Sequence, residues 1–230
     1  MFNGKMKAVT FSYDDGVLQD KRLIKLFDKY GLKATFNLNS ELLGSAGSLI
    51  REDVTVAHVK PLPCEVKEIY KNHEVAVHTL THPLLPSLSE RKIIRQVEDD
   101  RENLEELTGT DVVGMAYPCG GKNCDERVAD ILRNKTQIKY SRTIVSNYSF
   151  DLQEDLLLFN PTIHHMDWDK LFELGKEFIE LKPAEPKLFY IWGHSYEFDI
   201  DDTWDKFEEF CKLISGHDDI FYGTNREVLL

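Results

Sequence analysis

Short runs rich in β-branched and aromatic residues alternate with helical patterns from one end of this chain to the other. That alternation limits the fold more than any other feature of the sequence. Residues 7–12 (KAVTFS) read as a first strand, and the helix after it, over 21–30, stops at Gly31. A second strand covers 34–38 and a third 74–78, with a short helix over 65–71 before it. Further strands are expected near 112–116, 138–143, 156–160, 188–192 and 220–222, and helices near 125–135, 167–181 and 203–215. The longest helix is expected to start at Ser87, which has capping-box spacing to Glu90, and to end before Gly109. Only 45–63 breaks the rhythm, and it reads as an irregular excursion at the rim. Strand–helix alternation without a break implies a parallel sheet. With seven or eight such units, a distorted (β/α) barrel filling a single domain over 1–230 is expected rather than an open doubly wound sheet. No glycine-rich phosphate loop follows the first strand, which weighs against dinucleotide binding.

Charge narrows the partners. A net charge of −12 offers no basic footprint for nucleic acid or an anionic membrane surface. A neutral or cationic substrate suits it better. No apolar run approaches the roughly 18 residues that a membrane span needs, and residues 1–7 lack the apolar core of an export signal. Cys64, Cys119, Cys124 and Cys211 show no paired metal-site spacing and read as reduced thiols, so a cytoplasmic location is expected. Oligomeric state leaves no mark in the sequence.

In a barrel of this kind chemistry collects at the C-terminal ends of the strands. Four polar segments fall there: Tyr13-Asp14-Asp15-Gly16, His78-Thr79-Leu80-Thr81-His82, Tyr117-Pro118-Cys119-Gly120-Gly121 and Gly193-His194-Ser195. Each has a plain structural reading of its own. An Asp-Asp-Gly after a strand is a common turn, and a histidine among aromatics is commonly a satisfied buried one. Their conjunction on one rim is what carries weight. Two neutral imidazoles and a carboxylate form a common hydrolytic metal set with positions left open. A divalent ion there would bring the pKa of water toward ~7. A second carboxylate can then take the water's proton, and an imidazolium can protonate a leaving amine. Neighbouring aspartates point apart along a strand, so a division of roles between Asp14 and Asp15 is natural.

At these residues the chain resembles the polysaccharide deacetylase family (NodB homology, carbohydrate esterase family 4). Thr10-Phe11-Ser12-Tyr13-Asp14-Asp15-Gly16 is similar to its T-F-D-D-G motif, and His78-Thr79-Leu80-Thr81-His82 matches H-[ST]-x-x-H. The resemblance implies Asp14 as catalytic base, Asp15, His78 and His82 as metal ligands, and His194 as catalytic acid. The backbone N–H of Cys119 would receive the oxyanion, and Tyr117, Trp192 and Tyr196 would line the substrate site. Gly193-His194-Ser195-Tyr196-Glu197-Phe198 resembles a sub-branch associated with gellan lyase. The implied cofactor is a divalent ion, Zn²⁺ first, with Co²⁺, Ni²⁺ or Fe²⁺ able to use the same ligands. The implied reaction removes an N-acetyl, less readily an O-acetyl, group from a carbohydrate. Hydrolysis of a non-sugar amide or cyclic imide on the same site, or an inactive carbohydrate-binding relative, are the alternatives.

Two departures stand out. The family's third motif reads R-x-P-[YW], whereas this chain has Ala116-Tyr117-Pro118-Cys119, so the arginine that orients the catalytic aspartate is missing from its place. His164 or His165 is expected either to supply that charge or to lie on the outer surface. The fourth motif, D-x-x-D-W, survives only as Asp167-Trp168, where Asp167 reads as a helix N-cap.

Overall fold

The computed structural model describes residues 2–51 and 53–230. Strand β1 (Lys7–Asp14) is buried along its whole length, as a central parallel strand covered on both faces should be. After it come α1 (Asp20–Tyr30), β2 (Ala34–Leu38), β3 (Ser48–Arg51), β4 (Val54–Ala57), α2 (Val66–Tyr70), β5 (Glu74–Val77) and α3 (Glu90–Thr108). The second half runs β6 (Gly114–Ala116), α4 (Glu126–Lys135), β7 (Tyr140–Arg142), β8 (Ile163–His164), α5 (Trp168–Glu180) and β9 (Lys187–Gly193). It closes with α6 (Glu197–Ile200), α7 (Trp204–Ile214), β10 (Ile220–Tyr222) and α8 (Asn225–Leu229).

The main sheet has the order β7-β6-β5-β2-β1-β9-β8, and every pair in it is parallel. Strand β10 lies beside the first half of β1, Lys7 to Val9, while β2 takes the second half from Phe11 on. On the open side of β7, Arg142 forms a parallel bridge with Phe159, in the segment that leads into the other edge strand, β8. The sheet is therefore curled into the expected distorted barrel, with helices packed around it.

Three expectations need correcting. The run at 156–160 is a turn of 3₁₀-helix over Leu156–Leu158, because the Asp155 carboxylate accepts the Leu157 N–H and coils the chain; the strand falls later, at β8. The long helix starts with Ser89 at its N-cap, and the Ser87 hydroxyl donates to the Leu84 carbonyl inside a preceding 3₁₀ turn, so no Ser87–Glu90 box forms. Its end at a left-handed Gly109 is as expected. The excursion at the rim is regular: β3 and β4 form an antiparallel hairpin. Val56 of that hairpin packs on Val17 and Tyr196, and the Leu18 N–H donates to the Val59 carbonyl at 2.9 Å. The hairpin thus stands as a wall beside the end of β1.

Candidate active site

Asp14 is the last residue of β1, and the chain leaves the strand through two left-handed residues, Asp15 (φ 78°) and Gly16 (φ 60°). A Cβ at Gly16 would lie 2.5 Å from a Leu38 methyl, so only glycine makes this bend. The bend sends the two carboxylates to different partners. Asp14 is buried and accepts from the Arg142 guanidinium with both oxygens, and from Asn37 Nδ2 at 2.8 Å. Arg142 also donates to Ser12 Oγ at 3.2 Å and to the Thr143 carbonyl, and its guanidinium lies 4.3 Å from the centre of the Trp192 ring. Burial by itself would raise the Asp14 pKa. Arg142, with His78 and His194 behind it, outweighs burial and holds the carboxyl below its ordinary value.

The arginine missing from position 116 is therefore supplied from the next strand. Neither His164 nor His165 takes that place. The signal was in the sequence, since Arg142 lies next to the end of the strand expected at 138–143, on the same rim.

Asp15 turns the other way, toward the histidine pair. Its Oδ1 lies 3.6 Å from His82 Nε2 and 3.9 Å from His78 Nε2. The tautomers decide what this cluster can hold. His78 Nδ1 is 2.8 Å from the Ala116 carbonyl, which can only accept, so the proton sits on Nδ1 and Nε2 presents a lone pair. His82 Nε2 accepts from the Cys119 N–H at 3.4 Å, so it carries no proton of its own, and an ion would take its lone pair in place of that long bond. Burial depresses His78 to about 4 and lowers His82, so both rings are neutral near pH 7. Three electron-pair donors facing one another with no proton between them fit a divalent cation. The Cys119 N–H, held in a left-handed conformation (φ 69°), points into the same cluster.

His194 follows β9, and its environment is built by a residue that sequence reasoning had quoted without a role. One oxygen of Glu197, Oε2, accepts the His194 N–H at 2.9 Å and His165 Nε2 at 2.9 Å, and lies 3.3 Å from His164 Nε2. His194 Nδ1 faces the same oxygen at 3.3 Å, off the hydrogen-bond direction. Burial alone would lower the His194 pKa, but the Glu197 carboxylate, helped by Asp15 and Asp14, lifts it to about 9. The ring is therefore an imidazolium at neutral pH.

His164, His165 and Glu197 have the composition of a second metal site, yet their protons argue otherwise. His164 Nδ1 accepts the Met166 N–H at 3.3 Å, which leaves the proton on Nε2, facing Glu197. His165 is fully buried rather than on the surface, donates from Nε2 to Glu197 and accepts the Tyr13 hydroxyl at Nδ1, 2.9 Å away. These are N–H donors around a carboxylate, not lone pairs around a cation. His165 also explains Gly193, where a Cβ would sit 2.5 Å from its ring.

A pocket of about 400 Å³ joins Asp14, Asp15, His78, His82, Cys119 and His194. Tyr117, Trp192 and Tyr196 line it but are buried, so they form its walls rather than exposed platforms for a sugar face. The Tyr117 hydroxyl is already spent on the Leu157 carbonyl at 2.8 Å. The hairpin adds His58 and Lys60, which no motif marked. Asp167 stands at the N-cap of α5, but its carboxylate caps nothing; it accepts the exposed Tyr148 hydroxyl at 3.2 Å, away from the pocket. Among the described residues all four cysteines are free, and no helix is long and apolar enough to cross a membrane.

Comparison with known proteins places the chain in a family. No curated protein matches the chain. Among solved structures it is similar to a polysaccharide deacetylase from Bacillus cereus, at 21% identity and TM-score 0.51 over 65% of this chain and 44% of that one. A second polysaccharide deacetylase from the same species matches at 16% identity and TM-score 0.59, over 97% of this chain and 94% of that one. A CE4 family pseudoenzyme from Bacillus anthracis matches at 20% identity and TM-score 0.56, over 97% and 66%. At such identities these likenesses show the fold, and the chain spans less than half the length of the first. A family model described as polysaccharide deacetylase matches residues 3–138, more than half of the 230 residues, and that segment holds Asp14, Asp15, His78, His82 and Cys119. The chain belongs to the polysaccharide deacetylase family.

Proposed function

We propose that this protein hydrolyses an N-acetyl group of a carbohydrate at a divalent metal centre made by Asp15, His78 and His82. The observation that carries the reading is the pairing of an ionised Asp14 with a protonated His194 on either side of that cluster, in one pocket. A divalent ion, Zn²⁺ first by the chemistry of the ligand set, supplies Lewis acidity toward the acyl oxygen and the attacking water. Asp14, kept ionised by Arg142 and Asn37, accepts the water's proton as the nucleophile attacks the acyl carbon. The Cys119 N–H donates to the oxygen that becomes negative. His194, charged at rest, gives its proton to the departing nitrogen, and an amide needs that proton because a free amide anion is a poor leaving group. Acetate and an amino sugar leave.

The need for a protonated group beside the leaving atom favours N-acetyl over O-acetyl substrates: an ester oxygen leaves with less help, and here the acid stays protonated up to about pH 9. The test is acetate release from N-acetylated and O-acetylated oligosaccharides and from cyclic amides, after chelation and after adding back Zn²⁺, Co²⁺, Ni²⁺ or Fe²⁺. Metal-dependent acetate release from the N-acetylated glycans is expected. Ring opening of cyclic amides without acetate release would move the assignment to a small-amide hydrolase. Silence on every substrate from metal-loaded protein would make this chain a binding relative without turnover.

A further inference from the structure

The hairpin between β2 and β5 contributes two side chains to the region of Asp15, and neither belongs to a motif discussed above. His58, the residue after β4, donates from Nε2 to Asp15 Oδ2 at 3.2 Å. The other oxygen, Oδ1, is the one that faces His82 and His78. Lys60, almost wholly buried, donates to the backbone carbonyl of Asp15 and lies 3.3 Å from Asn39 Oδ1. Asn39 in turn donates to the carbonyls of His78 and Thr79 at 2.6 and 3.0 Å. Both loops that carry the cluster are thus tied to the hairpin, one through its carboxylate and carbonyl, the other through Asn39.

Those loops need holding. Asp15, Thr79 and His82 all adopt left-handed backbone conformations, with φ of 78°, 70° and 59°, which non-glycine residues keep only when their surroundings enforce them. The hairpin itself is braced. The His58 N–H donates to Gly47 and the Lys60 N–H to Ser45, and the His58 ring packs edge-on against Tyr196 with ring centres 5.3 Å apart. His58 is placed beside the cluster rather than in it: its Nε2 is engaged with the outer carboxylate oxygen, and the group of mutually close donor atoms consists of Asp15, His78 and His82.

We infer that His58 is a positioning residue of the metal centre, holding Asp15 Oδ2 so that Oδ1 faces the two imidazoles, with Lys60 fixing the backbone beneath it. The inference rests on the reading of Asp15, His78 and His82 as metal ligands. Hydrogen-bond partners of this kind orient a ligand before the ion arrives, and their loss weakens metal binding without abolishing it.

The test is a Zn²⁺ affinity measurement on chelator-stripped full-length protein, by competition with a chromophoric chelator. Thermal unfolding of the metal-free variants serves as a check on folding. Wild type should bind one ion per chain. His58→Ala should bind it about 10- to 100-fold more weakly, and His58→Gln, which keeps an N–H donor, should recover most of that loss. In Co²⁺-loaded protein the visible spectrum of His58→Gln should keep the wild-type shape, since no ligand has changed. Unchanged Zn²⁺ affinity in a folded His58→Ala would overturn the role, and so would a His58→Gln spectrum showing a lost nitrogen ligand. A wild-type protein that takes up no divalent ion would instead bring down the metal-centre reading on which the role depends.

Discussion

Ala116 and Arg142 lie directly opposite each other in the β6–β7 register, and the guanidinium that meets the Asp14 carboxylate comes from the second of the two. An arginine side chain is long enough to reach across one strand spacing. Asp14 thereby meets a guanidinium although position 116 is alanine. Arg142→Met should leave Asp14 buried with Asn37 as its side-chain donor, at 2.8 Å. Breaking one half of a buried ion pair costs about 3–5 kcal/mol, which denaturant unfolding would read. Without Arg142, burial dominates and the Asp14 pKa rises. Since the base form exists only above that pKa, the acidic limb of kcat/KM against pH should move to higher pH. Adding Ala116→Arg in the same chain should bring the limb part of the way back. Coincident acidic limbs in wild type and a folded Arg142→Met would remove Asp14 from the role of base.

Metal content should separate ligands from the acid. His78→Ala and Asp15→Asn are expected to lose both the ion and the activity. His194→Ala should keep the ion while turnover falls by about 10²–10⁴. Elemental analysis after gel filtration decides it, and equal metal loss in all three variants would make His194 a ligand.

Glu197 sets the alkaline limb. His194 must be protonated to act, so activity should fall as pH rises through its pKa of about 9. In Glu197→Gln the main raising charge is gone while the burial that lowers the pKa stays. The limb should then move toward or below the ordinary histidine value of about 6.5. An alkaline limb unmoved by this change would show that another group protonates the leaving nitrogen.

Gly193→Ala tests the packing behind that acid. The added methyl would meet the His165 ring at 2.5 to 2.7 Å, and His165 is held on both nitrogens by Tyr13 and Glu197. A destabilisation of about 1–3 kcal/mol is expected. Gly120→Ala, where a Cβ would meet nothing within 4 Å, is the control and should change stability by less than about 0.5 kcal/mol. Equal unfolding midpoints for the two variants would mean that the β9 end yields to the ring.

What the sequence determined by itself was local in origin. The alternation of strand and helix announced a curled parallel sheet, because period-2 and period-3.6 patterns are written within a few residues. Asp14-Asp15-Gly16 and His78 to His82 were legible for the same reason: each group is a continuous segment at a strand end, and Gly16 marks the bend that separates the two aspartates. The helix start at Ser89 and the 3₁₀ turn at Leu156–Leu158 escape a reading of periodicity, because local side-chain hydrogen bonds, Ser87 to the Leu84 carbonyl and the Leu157 N–H to Asp155, offer the backbone an alternative to the regular element. Tertiary structure alone decided the partners. Arg142 meets Asp14 across 128 positions, and His58 meets Asp15 across 43, through strand register and through a hairpin whose docking depends on Val17 and Tyr196. Glu197 stands three residues from His194, yet its reach to His165 depends on how β8 and β9 lie side by side. Motifs supply the reacting groups, but their charge states are set by neighbours that only the folded chain brings within a few ångströms, where Coulomb and hydrogen-bond energies are large.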